Sequence, residues 1–146
     1  MKINNFTKII LTVNMLCLGN AFALSLGDNV TSNTMKAQTT TTSTMVLTSQ
    51  QANHNEYTIT QATGTTKVLT NKQGKIYGFA WNDKNPDFKS MLGSYKATYD
   101  AAYAKRAYKY DHRRLMINTP TLSVEQFGLP GGPMQGSMVA NDLAPK

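Results

Sequence analysis

Residues 56–81 read EYTITQATGTTKVLTNKQGKIYGFAW, and this stretch decides the fold. Apolar and polar residues alternate in it with the period of two that is typical of half-buried strands. Two short turns interrupt the alternation, and the second ends on Gly74, where a positive φ is often needed. The stretch therefore predicts an antiparallel meander of three strands, over residues 56–61, 65–70 and 75–81.

The third of these strands is rich in aromatic residues. Its alternation predicts Tyr77, Phe79 and Trp81 on one face. Gly78 and Ala80 would then lie on the other face, where their small size would let another element pack closely against the strand.

A helix is expected after the meander. Asn85 is expected to cap it, Pro86 suits its first position, and the helical pattern ends near Ala107. Its apolar positions recur in steps of four and three, the spacing of one helix face; they are Phe88, Leu92, Tyr95, Tyr99 and Ala102. We expect this stripe to lie across the aromatic face of the meander.

Three further segments have the pattern of strands, namely residues 115–118, 122–127 and 134–140. Pro120 restricts the first of them to an edge or a bent strand, because proline cannot donate to a ladder of hydrogen bonds. All these elements together predict an α+β fold, in which an antiparallel β-meander carries one long amphipathic helix packed on one face.

The N-terminus is typical of a bacterial secretory signal peptide. Lys2 and Lys8 give it a positive start, residues 9–18 form a short apolar core, and residues 21–23 read Ala-Phe-Ala. We expect cleavage after Ala23, which would leave a periplasmic or extracellular protein. The apolar core is short of the ~20 residues that a membrane-spanning helix needs, so no transmembrane segment is expected after cleavage.

The single cysteine, Cys17, lies at the end of this apolar core. It raises the alternative of a lipoprotein signal, although Leu16 stands where such a signal prefers a small residue. Removal of residues 1–23 would leave no cysteine, which excludes an internal disulfide framework and a zinc site of the multi-cysteine type.

The next segment, residues 24–54, is polar and low in complexity, with TTTTST at residues 39–44. Such a stretch predicts a flexible leader, because it offers little apolar surface to offset its ordering entropy. Within it, residues 45–47 are a candidate first edge strand. The folded domain is then expected to span residues 55–146.

Composition sets broader limits on function. The chain has 146 residues, a formal net charge of +7, 40% hydrophobic residues and 16% charged residues. This length suits one small domain and excludes a two-domain enzyme of ordinary size. The apolar fraction argues against a wholly disordered chain.

The middle of the chain resembles the DUF2844 family of small exported bacterial proteins of unknown function. The resemblance rests on Tyr77-Gly78-Phe79-Ala80-Trp81, Pro86-Asp87-Phe88 and Leu92-Gly93-Ser94-Tyr95. Phe88 departs from the family's usual Leu, and the connection from Trp81 to Pro86 is a residue shorter. The resemblance implies export and this type of fold; it carries no active-site residue to this chain.

No catalytic constellation is recognisable. The sequence has no Gly-x-Ser-x-Gly, no Ser-x-x-Lys and no phosphate-binding loop, and its carboxylates are scattered. His54-Asn55-Glu56 has the spacing of one half of a zinc deaminase site but lacks the Cys-x-x-Cys half. We therefore expect a non-enzyme without catalytic residues, cofactor or metal.

Residues 103–114 concentrate cations and tyrosines at the predicted end of the helix. One interpretation is a solvated helix end, since cations there suit the helix dipole and tyrosine rings cover their stems. The other is a patch that binds an anion or a partner. Its candidate residues are Lys105, Arg106, Tyr108, Lys109, Tyr110, Arg113 and Arg114.

These observations favour a non-enzymatic, exported accessory protein that binds another envelope protein. The alternative is binding to an anionic surface, such as lipopolysaccharide or anionic lipid, through residues 103–114. A hydrolase with an unrecognised site is a third hypothesis. Export argues against a specific nucleic-acid partner.

Overall fold

The computed structural model describes residues 24–39, 42–106, 114–128 and 132–146. The strands within these residues are β1 (Ser43–Gln50), β2 (His54–Gln61), β3 (Gly64–Asn71), β4 (Ile76–Asp83), β5 (Arg114–Asn118), β6 (Leu122–Gly128) and β7 (Met134–Ala140). The helices are α1 (Ser32–Gln38), α2 (Phe88–Leu92) and α3 (Lys96–Lys105), with a 3-10 turn at Gly93–Tyr95 between the last two. The predicted signal peptide and its cleavage site lie outside the described residues.

The described strands form one antiparallel sheet of seven in the order β1-β2-β3-β4-β7-β6-β5. The predicted α+β class and the antiparallel meander are confirmed. The first four strands follow one another in space as in sequence, and β7 then pairs with β4. The chain therefore returns to the middle of the sheet, which leaves β5 at one edge and β1 at the other.

The third strand of the predicted meander, β4, contains a bulge that the alternation did not reveal. Ile76 pairs with Thr70 and Gly78 pairs with Leu69, so Tyr77 is the extra residue. Ile76, Phe79 and Trp81 are fully or almost fully buried. The prediction that Tyr77 shares a regular aromatic face is therefore corrected, because the bulge changes the parity of the strand.

The sheet has a core face and an outer face. Ile59, Val68, Phe79, Met138 and Val124 come from five adjacent strands and form the centre of the hydrophobic core. Residues of the opposite parity lie on the outer face, where the Met116 and Phe127 side chains are among the exposed large hydrophobic ones.

The 18 residues from Phe88 to Lys105 are helical and pack on the core face, but not as one regular amphipathic helix. Of the predicted stripe only Leu92 is buried; the other members are half-buried against the core, and α3 buries no residue completely. The N-cap is Asp87, whose carboxylate accepts a hydrogen bond from the Ser90 N–H, rather than the predicted Asn85.

Gly93 explains why the helix is interrupted. Its φ is +52°, and a Cβ at this position would lie 2.7 Å from Ser25. The absence of a side chain at this position therefore allows the N-terminal segment to pack directly against the helix.

The prediction of a flexible leader at residues 24–54 is corrected for the part of this segment that the structure describes. Leu24 and Leu26 belong to the core, and the Leu26 N–H donates to the Met91 carbonyl at 2.9 Å. Thr31 and Thr34 form a reciprocal capping box at the start of α1. The candidate edge strand at residues 45–47 is confirmed as the centre of β1.

The composition of residues 24–54 was misleading because a few apolar residues suffice to anchor the segment. Met45 is buried beside Ile59, and the Ile76 N–H donates to the Asp28 carbonyl. The fold therefore includes residues 24–39, and the predicted boundary at residue 55 falls inside the hairpin of β1 and β2.

Candidate functional site

Lys105 and Arg106 are the two predicted site residues that lie at the end of α3. Lys105 is the last residue of the helix and is exposed, whereas Arg106 is its C-cap and is half-buried. Tyr108, Lys109, Tyr110 and Arg113 lie outside the described residues. The seventh candidate, Arg114, opens β5.

Arg114 lies on the opposite side of the sheet from Arg106. It faces Phe127 across the pair β5–β6, on the outer face, and its guanidinium donates to the Glu125 carboxylate at 3.0 Å. Arg106 lies on the core side, next to Leu115 and Gln126. The sheet thus separates two cations that the sequence placed in one patch.

An aromatic row runs from the core to Arg106. Trp81 meets Phe88 edge to face at 5.8 Å between ring centroids, and Phe88 meets Tyr99 in the same way at 5.0 Å. Tyr99 stacks on Tyr103 at 5.7 Å. These separations fall in the range that favours aromatic pairs.

Arg106 closes the aromatic row. Its guanidinium carbon lies 4.5 Å from the Tyr103 ring centroid, which is within the range of a cation–π interaction. Tyr99, Tyr103 and Arg106 are spaced by four and three residues, so one face of the helix end brings them together.

The row forms a wall of the aromatic cleft, an open cavity of about 490 Å³ between the helix and the strands β5, β6 and β7. The cleft combines aromatic and aliphatic walls with two cations, Lys89 and Arg106, one carboxylate, Asp87, and two amides. Its lining consists of Asn85, Pro86, Asp87, Phe88, Lys89, Tyr99, Tyr103, Arg106, Leu115, Gln126 and Met134. A site of this kind suits a ligand with an apolar body and an anionic or hydrogen-bonding group.

Tyr99 and Tyr95 are both held in the neutral form. Burial raises the pKa of Tyr99, and Tyr103 and Asp100 raise it further against the opposing effect of Arg106. Burial and a hydrogen bond to Asp142 raise the pKa of Tyr95 to about 12. At neutral pH these phenols are hydrogen-bond donors and apolar walls, not bases.

A second cavity, the α3–β5 groove, has a volume of about 610 Å³ and shares Arg106 with the aromatic cleft. Small residues of α3 form one side of it, and the edge of β5 forms the other. Its lining consists of Thr98, Ala101, Ala102, Lys105, Arg106, Met116, Ile117, Asn118 and Thr119.

Nothing in the described part of the chain brings three or more His, Cys, Asp or Glu side chains together as metal ligands. His54 pairs with Asn71 in the sheet, and the Glu56 carboxylate binds the Lys67 ammonium at 2.9 Å. The spacing of His54 and Glu56 therefore reflects two positions on one strand. None of the described helices combines the length and the apolar character that crossing a membrane requires.

Lys105 and Arg106 were singled out by the sequence as cations at the helix end, whereas the aromatic cleft was not predicted. The signal was present: Tyr99, Tyr103 and Arg106 share a helix face. The contribution of Leu115, Gln126 and Met134 had no local signal, because it depends on the insertion of β7 between β4 and β6.

A family model with the description "Protein of unknown function (DUF2844)" matches residues 21–146. The match covers the entire described fold and therefore extends beyond the middle of the chain, on which the resemblance in sequence rested. No curated protein and no solved structure matches the chain.

Proposed function

The chain belongs to the DUF2844 family, and from this premise we propose that it is an exported, non-catalytic accessory protein that binds another protein of the bacterial envelope. The aromatic cleft is the binding site in this proposal. Export rests on the N-terminal sequence pattern of residues 1–23.

The proposal rests on the position of Arg106, whose guanidinium lies at the end of the aromatic row. The guanidinium stacks on Tyr103, which stacks on Tyr99, so the cation is positioned by packing before any partner arrives. Aromatic residues and arginine are the side chains enriched at the centres of protein interfaces. A partner could place an apolar side chain against the aromatic row and a neighbouring carboxylate on the Arg106 guanidinium, and it would then use both features of the cleft.

The chemistry of the cleft favours binding over catalysis. A general base needs a pKa near the operating pH, whereas the pKa of Tyr99 is raised above its already high usual value. Asp87 is engaged as the N-cap of α2. The cleft therefore offers surfaces and donors for recognition.

The experiment is affinity capture from an envelope extract with residues 24–146 as bait, at low and high salt. The wild-type chain should retain one protein at high salt, and a variant with Tyr103→Ala and Arg106→Gln should lose it. Lys36→Gln, on the exposed surface of α1, is the matched control and should retain it. Capture that the cleft variant leaves unchanged, or no capture by the wild-type chain, would contradict the proposal.

The alternative, binding to an anionic surface, keeps one supporting observation. Lys105 and Arg106 both line the α3–β5 groove, so two cations lie side by side at the end of α3. Sedimentation with phosphatidylglycerol vesicles, compared with phosphatidylcholine vesicles, tests it. Salt-sensitive binding to the anionic vesicles alone would favour this function over the first.

A further inference from the structure

We propose that the edge of β5, which no strand of the described residues covers, accepts an extended, acidic segment of a partner protein as an additional strand, seated in the α3–β5 groove. This inference deepens the proposed function, since it names the kind of segment that a protein partner would supply. It concerns the groove, and the aromatic cleft is a separate surface that meets it at Arg106.

The register of β5 shows which backbone groups are available. The Thr119 N–H donates to the Leu122 carbonyl at 2.8 Å, and bonded and non-bonded pairs alternate along an antiparallel ladder. Ile117 and Leu115 therefore direct their N–H and C=O groups to β6. Met116 and Asn118 direct theirs away from β6, to the free edge.

The two residues that carry these outward groups both contribute to the lining of the groove. Met116 and Asn118 both belong to its lining, and β6 is the neighbour of β5 in the sheet, with no strand described on its other side. Together, Met116 and Asn118 offer two backbone N–H donors and two C=O acceptors to an added strand. Addition of a strand to such an edge is a recurrent mode of peptide recognition.

The helix side of the groove leaves room for that strand. Thr98, Ala101 and Ala102 are the α3 residues opposite the edge, and their side chains are short. The floor is apolar, since Ile117 is buried in the core and Ala102 packs against it. An added strand would thus place alternate side chains against an apolar floor and toward solvent.

The charge of the groove selects the occupant. Lys105 and Arg106 line it, and none of the described residues that line it is acidic. A second copy of this chain has a formal net charge of +7, or +5 once Lys2 and Lys8 are removed with residues 1–23, and would meet repulsion here. A segment with Asp or Glu beside an extended apolar stretch complements both features.

The test is selection from a phage-displayed library of random heptapeptides on the folded chain, followed by affinity measurements with variants. Enriched peptides should contain acidic residues and bind wild-type chain and Met116→Ala alike. Met116→Pro should weaken binding about tenfold, because it removes one N–H donor. Proline is tolerated there since that N–H faces the free edge and not β6.

Ala101→Gln provides an independent variant that leaves the sheet untouched. Its longer side chain should fill the groove and weaken peptide binding, whereas the same substitution at the exposed Ala97, outside the groove, should not. Absence of enriched peptides, or equal affinity for wild-type chain and Ala101→Gln, overturns the proposal. If the groove variants fail in this way while envelope capture still requires Arg106 and Tyr103, the groove assignment alone falls and the proposed function stands.

Discussion

Replacement of Leu26 by Ala tests whether the N-terminal segment is part of the fold. Leu26 is 2% exposed, and its contact with the helix is reinforced by the hydrogen bond from its own N–H to the Met91 carbonyl. Alanine keeps that backbone bond, so the substitution removes side-chain packing alone.

The expected cost follows from the burial. A buried leucine shortened to alanine loses its transfer free energy and leaves a cavity, which together destabilise by about 2–5 kcal/mol. For a domain of this size, about 3 kcal/mol corresponds to a fall in Tm of roughly 10 °C.

The assay is urea unfolding of residues 24–146, monitored by the fluorescence of Trp81, the single tryptophan. Leu47→Ala is the matched control, because Leu47 is 47% exposed in the same N-terminal segment and should cost about 1 kcal/mol or less. Equal and small effects of the two substitutions would refute the inclusion of this segment in the core.

Three further predictions concern the sheet, the helix and the surface. Gly136→Ala should destabilise the protein by about 1–3 kcal/mol, measured by the same unfolding assay, because its Cβ would lie 2.5 Å from the Trp81 ring. The pKa of Tyr95 is raised from 10.0 to about 12 by burial and by its bond to Asp142, so its contribution to stability is complete below pH 10 and is lost as the pH rises to 12. Tyr95→Phe should therefore reduce the loss of stability over this interval in pH-dependent unfolding, and an unchanged pH profile would contradict the assignment. Arg114→Gln should change the free energy of unfolding by less than about 1 kcal/mol in urea, since its ion pair is exposed; a larger loss would show that the pair stabilises the edge of the sheet.

The local elements were predictable because their signals are local. The turn before β4 follows from Asn71 and Gly74: the Asn71 side-chain oxygen accepts from the Gln73 and Lys75 N–H groups, and Gly74 has a φ of +78°. Pro120 predicted an edge or a bent strand; β5 is an edge strand of the described sheet, and Pro120 lies in the turn between β5 and β6.

The errors arose where distant residues decide the outcome. The bulge at Tyr77 depends on the register between β3 and β4, which alternation within one strand does not report. Burial of Leu24 and Leu26 depends on a helix more than sixty residues away, so an average over a polar segment hides it.

The candidate site was predictable only in part for the same reason. Lys105 and Arg106 were found as a cluster of charge in sequence, but Arg114 turned out to lie behind the sheet. Consecutive residues of a strand lie on opposite faces of the sheet. The register of β5 therefore decides whether Arg114 lies on the same face as Arg106, and it places Arg114 on the other one.

The most direct test of the account maps the bound partner on this chain. Hydrogen exchange measured by mass spectrometry, with and without the protein captured from the envelope, reports which amides become protected. We expect protection to rise in residues 98–106 and 115–119, the two segments that contribute lining residues to the aromatic cleft and the α3–β5 groove. Protection confined to β1 or to the outer face around Phe127 would contradict the assignment of binding to this end of α3.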